Sequence, residues 1–277
     1  MSFSMIVFYI LVFFIQLAQA FSDSGTTSFS SEGRIFQVEY ALKAISFTKP
    51  IVGMVTSEGV LVIGVRSIGS RLEDREAPSF GEKVHEIDSH IVVAVTGMAA
   101  DAPALVTRCR DLCAAHRKQF GCPMPVGRLA GRLADTFQAF TQRGGLRPFG
   151  VAFLVAGHDT ERGLQLYATD PSGNFDSWQA MAWGAGSEKL VNGLEELFDE
   201  HGDLGKDGVE MSLSLKTALR RAKGLLESVQ KDKSKNRDEN EEILIIEVGL
   251  VLLDPRTNKA TTRILSFEEI QQFMQEQ

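Results

Sequence analysis

The chain has 277 residues, 44% of them hydrophobic and 23% charged, with 29 Lys and Arg against 36 Asp and Glu, a formal net charge of −7. That composition excludes a disordered polymer, a collagen and a disulfide-stapled mini-protein, and the length allows a sizeable core. A net acidic chain is also a poor match for sequence-independent nucleic-acid binding, which needs basic groups to displace counterions, so no nucleic-acid partner is expected.

The charge is unevenly spread: nothing before Asp23 is charged, and the first basic residue is Arg34. Met5 to Leu17 is nearly all apolar and is followed by Ala18-Gln19-Ala20. A short apolar run ending in a small-x-small triplet has the form of a secretory leader, but the basic flank of a leader is missing. The run also falls below the roughly 17 residues that cross a bilayer, so no membrane partner is expected. Two readings stay open, a leader released after Ala20 or an extension foreign to the domain, such as the product of an incorrect gene model. Residues 1–22 are set apart on this ground from one domain over 23–277.

Residues 32–47 predict a short amphipathic helix, with Ile35, Val38, Leu42 and Ile45 at helical spacing. Two hairpins follow, Ile51–Thr56 with Val60–Arg66, and Lys83–Ile87 with Ile91–Thr96. Their near-continuous apolar runs predict strands covered on both faces. Helices are expected over 101–119 and 125–143, the second with Leu129, Leu133, Phe137 and Phe140 as its core stripe. Strands return at Phe149–Gly157, Leu164–Asp170 and Ser177–Trp183. Two more helices are expected, one capped by Ser187 and one with Leu215, Leu219, Ala222, Leu225 and Val229 inward. The fully polar Lys231–Asn240 reads as a solvated loop. A last hairpin, Ile243–Leu253 with Ala260–Leu265, and a helix from Ser266 close the chain.

Hairpins alternating with pairs of helices do not make the βαβ pattern of a parallel sheet. Two antiparallel sheets face to face, with helices outside, would bury every apolar run. The expected fold is therefore a four-layer α/β/β/α sandwich. Cys109 and Cys113 fall on the buried stripe of a helix with Leu105, Val106 and His116, and read as buried thiols. Cys122 completes an odd count, and the five histidines are scattered, so neither a metal nor a cofactor is expected.

Four segments carry a resemblance. Phe29-Ser-Ser-Glu-Gly-Arg-Ile-Phe-Gln-Val-Glu-Tyr-Ala-Leu-Lys-Ala-Ile45 resembles the N-terminal signature of 20S proteasome alpha subunits. Val95-Thr-Gly-Met-Ala-Ala-Asp101, Phe140-Thr-Gln-Arg-Gly-Gly-Leu-Arg-Pro-Phe-Gly150 and Leu166-Tyr-Ala-Thr-Asp-Pro-Ser-Gly173 follow in the family's order. Among the seven alpha positions, the last two runs are most similar to the third. The resemblance implies the same Ntn-hydrolase-like sandwich in a non-catalytic subunit supporting ubiquitin-dependent protein degradation in cytoplasm and nucleus. Its implied partners are the other alpha subunits of a heptameric ring, the beta-ring subunits, and the C-termini of activators or the regulatory particle.

The resemblance also implies residue roles. In the family a Tyr-Asp pair, a turn proline and the signature's tyrosine orient the gate; here Asp23 and Tyr40 match, while Ser22 and Ser31 replace the tyrosine and proline. The activator-pocket lysine corresponds to Arg71. The beta subunits of the particle are threonine peptidases, whose N-terminal Thr needs its own amine as base and a nearby Lys and Asp. Aligned on the first hairpin, those positions fall at about Lys49, Lys83 and Val65, so only the lysine is kept and no catalytic residue is expected. Thr26 lies a whole predicted helix upstream of the first strand. A secreted or divergent paralogue acting outside the particle, and an autoprocessed threonine peptidase, are the alternatives.

Overall fold

The computed structural model describes residues 27–68, 81–205, 208–211, 213–234, 243–254, 256–257 and 259–275. Helix α1 (Phe36–Ile45) leads into the hairpin β1 (Ile51–Val55) and β2 (Gly59–Ile68), paired from Ile51 opposite Gly64 to Val55 opposite Val60. Strands β3 (Val84–Asp88) and β4 (Ile91–Gly97) make the second hairpin, followed by helices α2 (Ala102–Phe120) and α3 (Val126–Gln142). Then come β5 (Val151–Asp159), β6 (Gly163–Thr169), β7 (Phe175–Trp178), β8 (Ala180–Trp183) and helix α4 (Ser187–His201). A short hairpin of β9 (Gly202–Gly205) and β10 (Gly208–Met211) precedes helix α5 (Leu215–Ser234). Strands β11 (Ile243–Asp254) and β12 (Lys259–Leu265) and helix α6 (Phe267–Gln275) end the chain.

The strands form two antiparallel five-stranded sheets, ordered β12-β11-β2-β1-β8 and β3-β4-β5-β6-β7. Alternation along each strand divides the apolar runs between two faces. Val92 and Ala94 of β4 and Leu154 and Ala156 of β5 meet Ile51, Val60, Val62 and Val251 of the other sheet. Ile91, Val93, Val95, Phe153 and Val155 turn outward onto Leu105, Leu129, Leu133 and Phe137 of α2 and α3. On the far side, Val52, Met54, Leu61 and Ile63 pack on Leu190, Leu194, Leu219 and Ala222 of α4 and α5. Three buried cores between four layers are the sandwich expected from the sequence, and each fully buried large side chain contributes roughly 1.5–3 kcal/mol.

Close approach of the sheets requires glycine at one crossing. A Cβ on Gly249 would fall 2.6 Å from Val92 Cγ1 and 2.7 Å from Val84 Cγ1. At the other end of the second sheet, Asp101 accepts two hydrogen bonds from Arg147, both 2.7 Å, and one from the Gly150 N–H at 3.0 Å. This carboxylate joins the start of α2 to the approach to β5.

Three expectations are corrected. Ser177–Trp183 is not one strand: β7 pairs with β6 in the second sheet, and β8 pairs with β1 in the first. The chain changes sheets at Gln179, whose carbonyl takes the Val55 N–H at 2.7 Å; a crossing of this kind leaves no mark on local periodicity. Helix α5 continues to Ser234, through residues read as loop, because Lys, Asp and Ser are tolerated in a helix and no Gly or Pro interrupts it there. In the same helix Leu226 is buried, while Leu225 is only partly so.

Candidate functional site

At the end of the sandwich where β1 begins, the two sheets leave a cleft of about 340 Å³, whose walls include Phe47, Lys49, Arg66, Lys83, Thr96 and Met98. Lys83 enters it from the residue before β3. Its path depends on Gly64 of β2, because a Cβ there would lie 2.6 Å from Lys83 Cβ. The main chain of Lys83 is held from across the cleft: Glu247 Oε2 of β11 accepts the N–H of Lys83 at 2.7 Å and that of Val84 at 3.1 Å. Glu247 Oε1 lies 3.0 Å from Arg66 Nε, with both side chains nearly buried.

The side chain of Lys83 donates from Nζ to Thr96 Oγ1 at 3.2 Å. Thr96 in turn donates to the Lys49 carbonyl at 2.7 Å, and its hydroxyl lies 2.8 Å from that of Thr48. Burial pushes the Lys83 ammonium down to about 8; the Glu247 carboxylate opposes this and the Lys49 charge reinforces it. Burial likewise raises Glu247, against the two backbone N–H groups and the Arg66 charge that favour its ionised form.

This geometry presents an amine but no N-terminal threonine of the peptidase kind. Lys49 stands where the peptidase reading needs threonine, directly before Pro50 and β1. Val65 is 1% exposed and packs in the core between the first sheet and its helices, away from Lys83. The hydroxyls lining the cleft, of Thr48, Ser67 and Thr96, belong to residues in mid-chain, so none carries the α-amine that serves as base. Thr26 lies outside the described residues.

The gate cluster is only partly within view, since Asp23 and Arg71 both lie outside the described residues. Ser31 is the second residue of a turn closed by the Gly33 N–H to the Ser30 carbonyl at 2.9 Å. The Ser30 hydroxyl also accepts from the Glu32 and Arg34 N–H groups, and Arg34 pairs with Glu39 of α1. Tyr40, 58% exposed, stacks on Phe36 one turn earlier with ring centroids 6.2 Å apart. The structure thus joins the turn to α1 through Arg34 and Glu39, and leaves the Tyr40 ring facing solvent.

Glu247 and Thr96 were not singled out from the sequence. One signal was available for Glu247, a lone carboxylate inside the apolar run Ile243–Leu253, since a charge there must find partners. Glu195, Glu196, Asp199 and Glu200 are exposed on α4. Cys109 and Cys113 are buried, and burial pushes both thiols up to about 12. Among the described residues, no group of three or more His, Cys, Asp or Glu is placed to hold a metal.

Comparison with known proteins identifies the family. The proteasome subunit family matches residues 47–237, and the N-terminal signature of A-type proteasome subunits matches residues 23–44. The chain is 36% identical to proteasome subunit alpha type-4 of Spinacia oleracea over 244 residues, 88% of this chain and 93% of that protein. It is 40% identical to proteasome subunit alpha type-4-A of Arabidopsis thaliana over 195 residues, 70% of this chain and 77% of the relative. The family match over residues 47–237, the A-type signature before it and the alpha type-4 relatives lead to one conclusion: the chain belongs to the proteasome subunit family, in its alpha branch.

Proposed function

We propose that this chain takes a place in the alpha ring of the proteasome, in the cytoplasm and nucleus, where its N-terminal region helps gate substrate passage and its cleft receives the C-termini of activators. As a member of the alpha branch it is a structural, non-catalytic subunit that assembles with other proteasome subunits and supports protein degradation. The finer reading rests on one observation, a lysine fixed in an open cleft from which the nucleophile and acid are gone. A buried ammonium with one wall open to solvent suits the terminal carboxylate of a peptide, which gains charge-assisted hydrogen bonds there. Arg71 is the second proposed contact for such a carboxylate, on the resemblance alone. Neighbouring alpha subunits and the beta ring complete the proposed set of partners.

Native mass spectrometry of the endogenous core particle tests the placement. Recovery of this chain at one copy per alpha ring is expected, and its absence from purified 20S core overturns the reading. For the receptor role, Lys83→Ala in the assembled particle is expected to weaken capture of a peptide with a free C-terminus at least about 10-fold, while the amidated peptide binds poorly to both forms.

A further inference from the structure

The structure assigns a further role to the same cleft: the ε-amino group of Lys83 is a selective acylation site, taking a short acyl group from a thioester. Three features of the geometry carry it. The nitrogen lies 3.2 Å from Thr96 Oγ1, and that hydrogen bond fixes where the amine points. Beside it the cleft offers about 340 Å³ of space, enough for a small acyl carrier to approach. Apolar surface for the acyl chain comes from Phe47 and Met98, both exposed at the lip of the cleft.

The charges around the amine are Lys49 before β1, Arg66 on β2, Glu82 before β3 and Glu247 on β11, two of each sign. Burial therefore governs the protonation of Lys83, whose value near 8 leaves a substantial share of free amine at neutral pH. At pH 7.5 roughly a quarter of such a lysine is unprotonated, against about one part in a thousand for an ordinary one. The lone pair attacks the thioester carbonyl, and the C–N bond forms as the C–S bond breaks. The released thiol takes up the proton that nitrogen loses, leaving a neutral amide with no change of oxidation state. Acylation would remove the charge used by the carboxylate-receptor reading. That consequence rests on the reading, but the acylation itself does not.

The test is site-resolved mass spectrometry of the full-length chain treated with S-acetyl-N-acetylcysteamine between pH 6.5 and 10, with no docking peptide present. Lys83 is expected to acetylate at pH 7.5 at least about 10-fold faster than the exposed Lys43, Lys118 and Lys259, with a rate that levels off above about pH 9. Lys83→Arg should abolish that product and leave the other three rates unchanged. A Lys83 rate equal to or below those of the exposed lysines overturns the assignment, as does a Lys83 rate that rises only after the chain is denatured. Failure here leaves carboxylate capture, measured separately with the free and amidated peptides, untouched.

Discussion

Glu247 on β11 accepts the backbone N–H of Lys83 at 2.7 Å, so a carboxylate of the first sheet fixes the residue that leads into the first strand of the second. The same oxygen takes the Val84 N–H, and the other carboxylate oxygen faces Arg66. Glu247→Ala would leave two backbone donors and a nearly buried guanidinium without their acceptor. A loss of about 2–4 kcal/mol in urea unfolding is expected. Glu247→Gln, which keeps an acceptor, should lose less. A cost below about 1 kcal/mol for the alanine variant would show that the clasp is not a major support.

Lys83 gives a pH-dependent prediction. Its folded value of about 8 lies below its ordinary value of 10.5, so between these limits the unfolded chain binds more protons than the folded one. The cost of the buried ammonium is therefore fully present below pH 8 and is relieved as pH rises through that window. Lys83→Met should stabilise the fold at pH 7 by an amount on the order of 1–3 kcal/mol. The advantage should shrink towards zero near pH 10.5. Chemical denaturation at the two pH values measures the difference, and a constant offset between the variants refutes the burial account.

Gly249 marks a tight crossing between the sheets. A methyl group added there would stand 2.6 Å from Val92 Cγ1 and 2.7 Å from Val84 Cγ1, so Gly249→Ala must push the two sheets apart. A destabilisation of about 2–4 kcal/mol is expected from overpacking. Gly224, where an added Cβ meets nothing within 4 Å, provides the contrast. Gly224→Ala in helix α5 should be stabilising by up to about 1 kcal/mol, and thermal unfolding of the two variants should diverge in opposite directions.

Ser31 and Tyr40 separate stability from gating. Ser31→Pro sets the backbone at the second position of the Ser30–Gly33 turn and should stabilise by about 0.4–1 kcal/mol through the unfolded chain. It should also slow proteolysis of the N-terminal region. Tyr40→Ala removes an exposed ring, so the unfolding free energy should change by less than about 0.5 kcal/mol. In the assembled particle the same change should raise basal hydrolysis of a small fluorogenic peptide. An unchanged basal rate counts against a gating role for Tyr40.

Much of the architecture was legible because a strand covered on both faces leaves an unmistakable record. Ile91–Thr96 is apolar at almost every position, and its side chains do go alternately to the inter-sheet core and to the helices. The alpha signature was likewise continuous in sequence, from Phe29 to Ile45. The crossing at Gln179 was not legible, because β7 and β8 are both short extended stretches and only their partners tell them apart. Nor was the β9–β10 hairpin, whose residues alternate in no regular way.

By itself the sequence determined the layer order, the alpha branch and the loss of the nucleophile and acid, since each depends on residue type at a position along the chain. Only the tertiary structure decided what occupies the emptied cleft. Lys83 and Thr96 close one hairpin, but Glu247 comes from a strand 164 residues further on, and their meeting depends on sheet packing and on the space left by Gly64. The low proton affinity of Lys83 follows from that burial, a property of packing density around one nitrogen that no local pattern encodes.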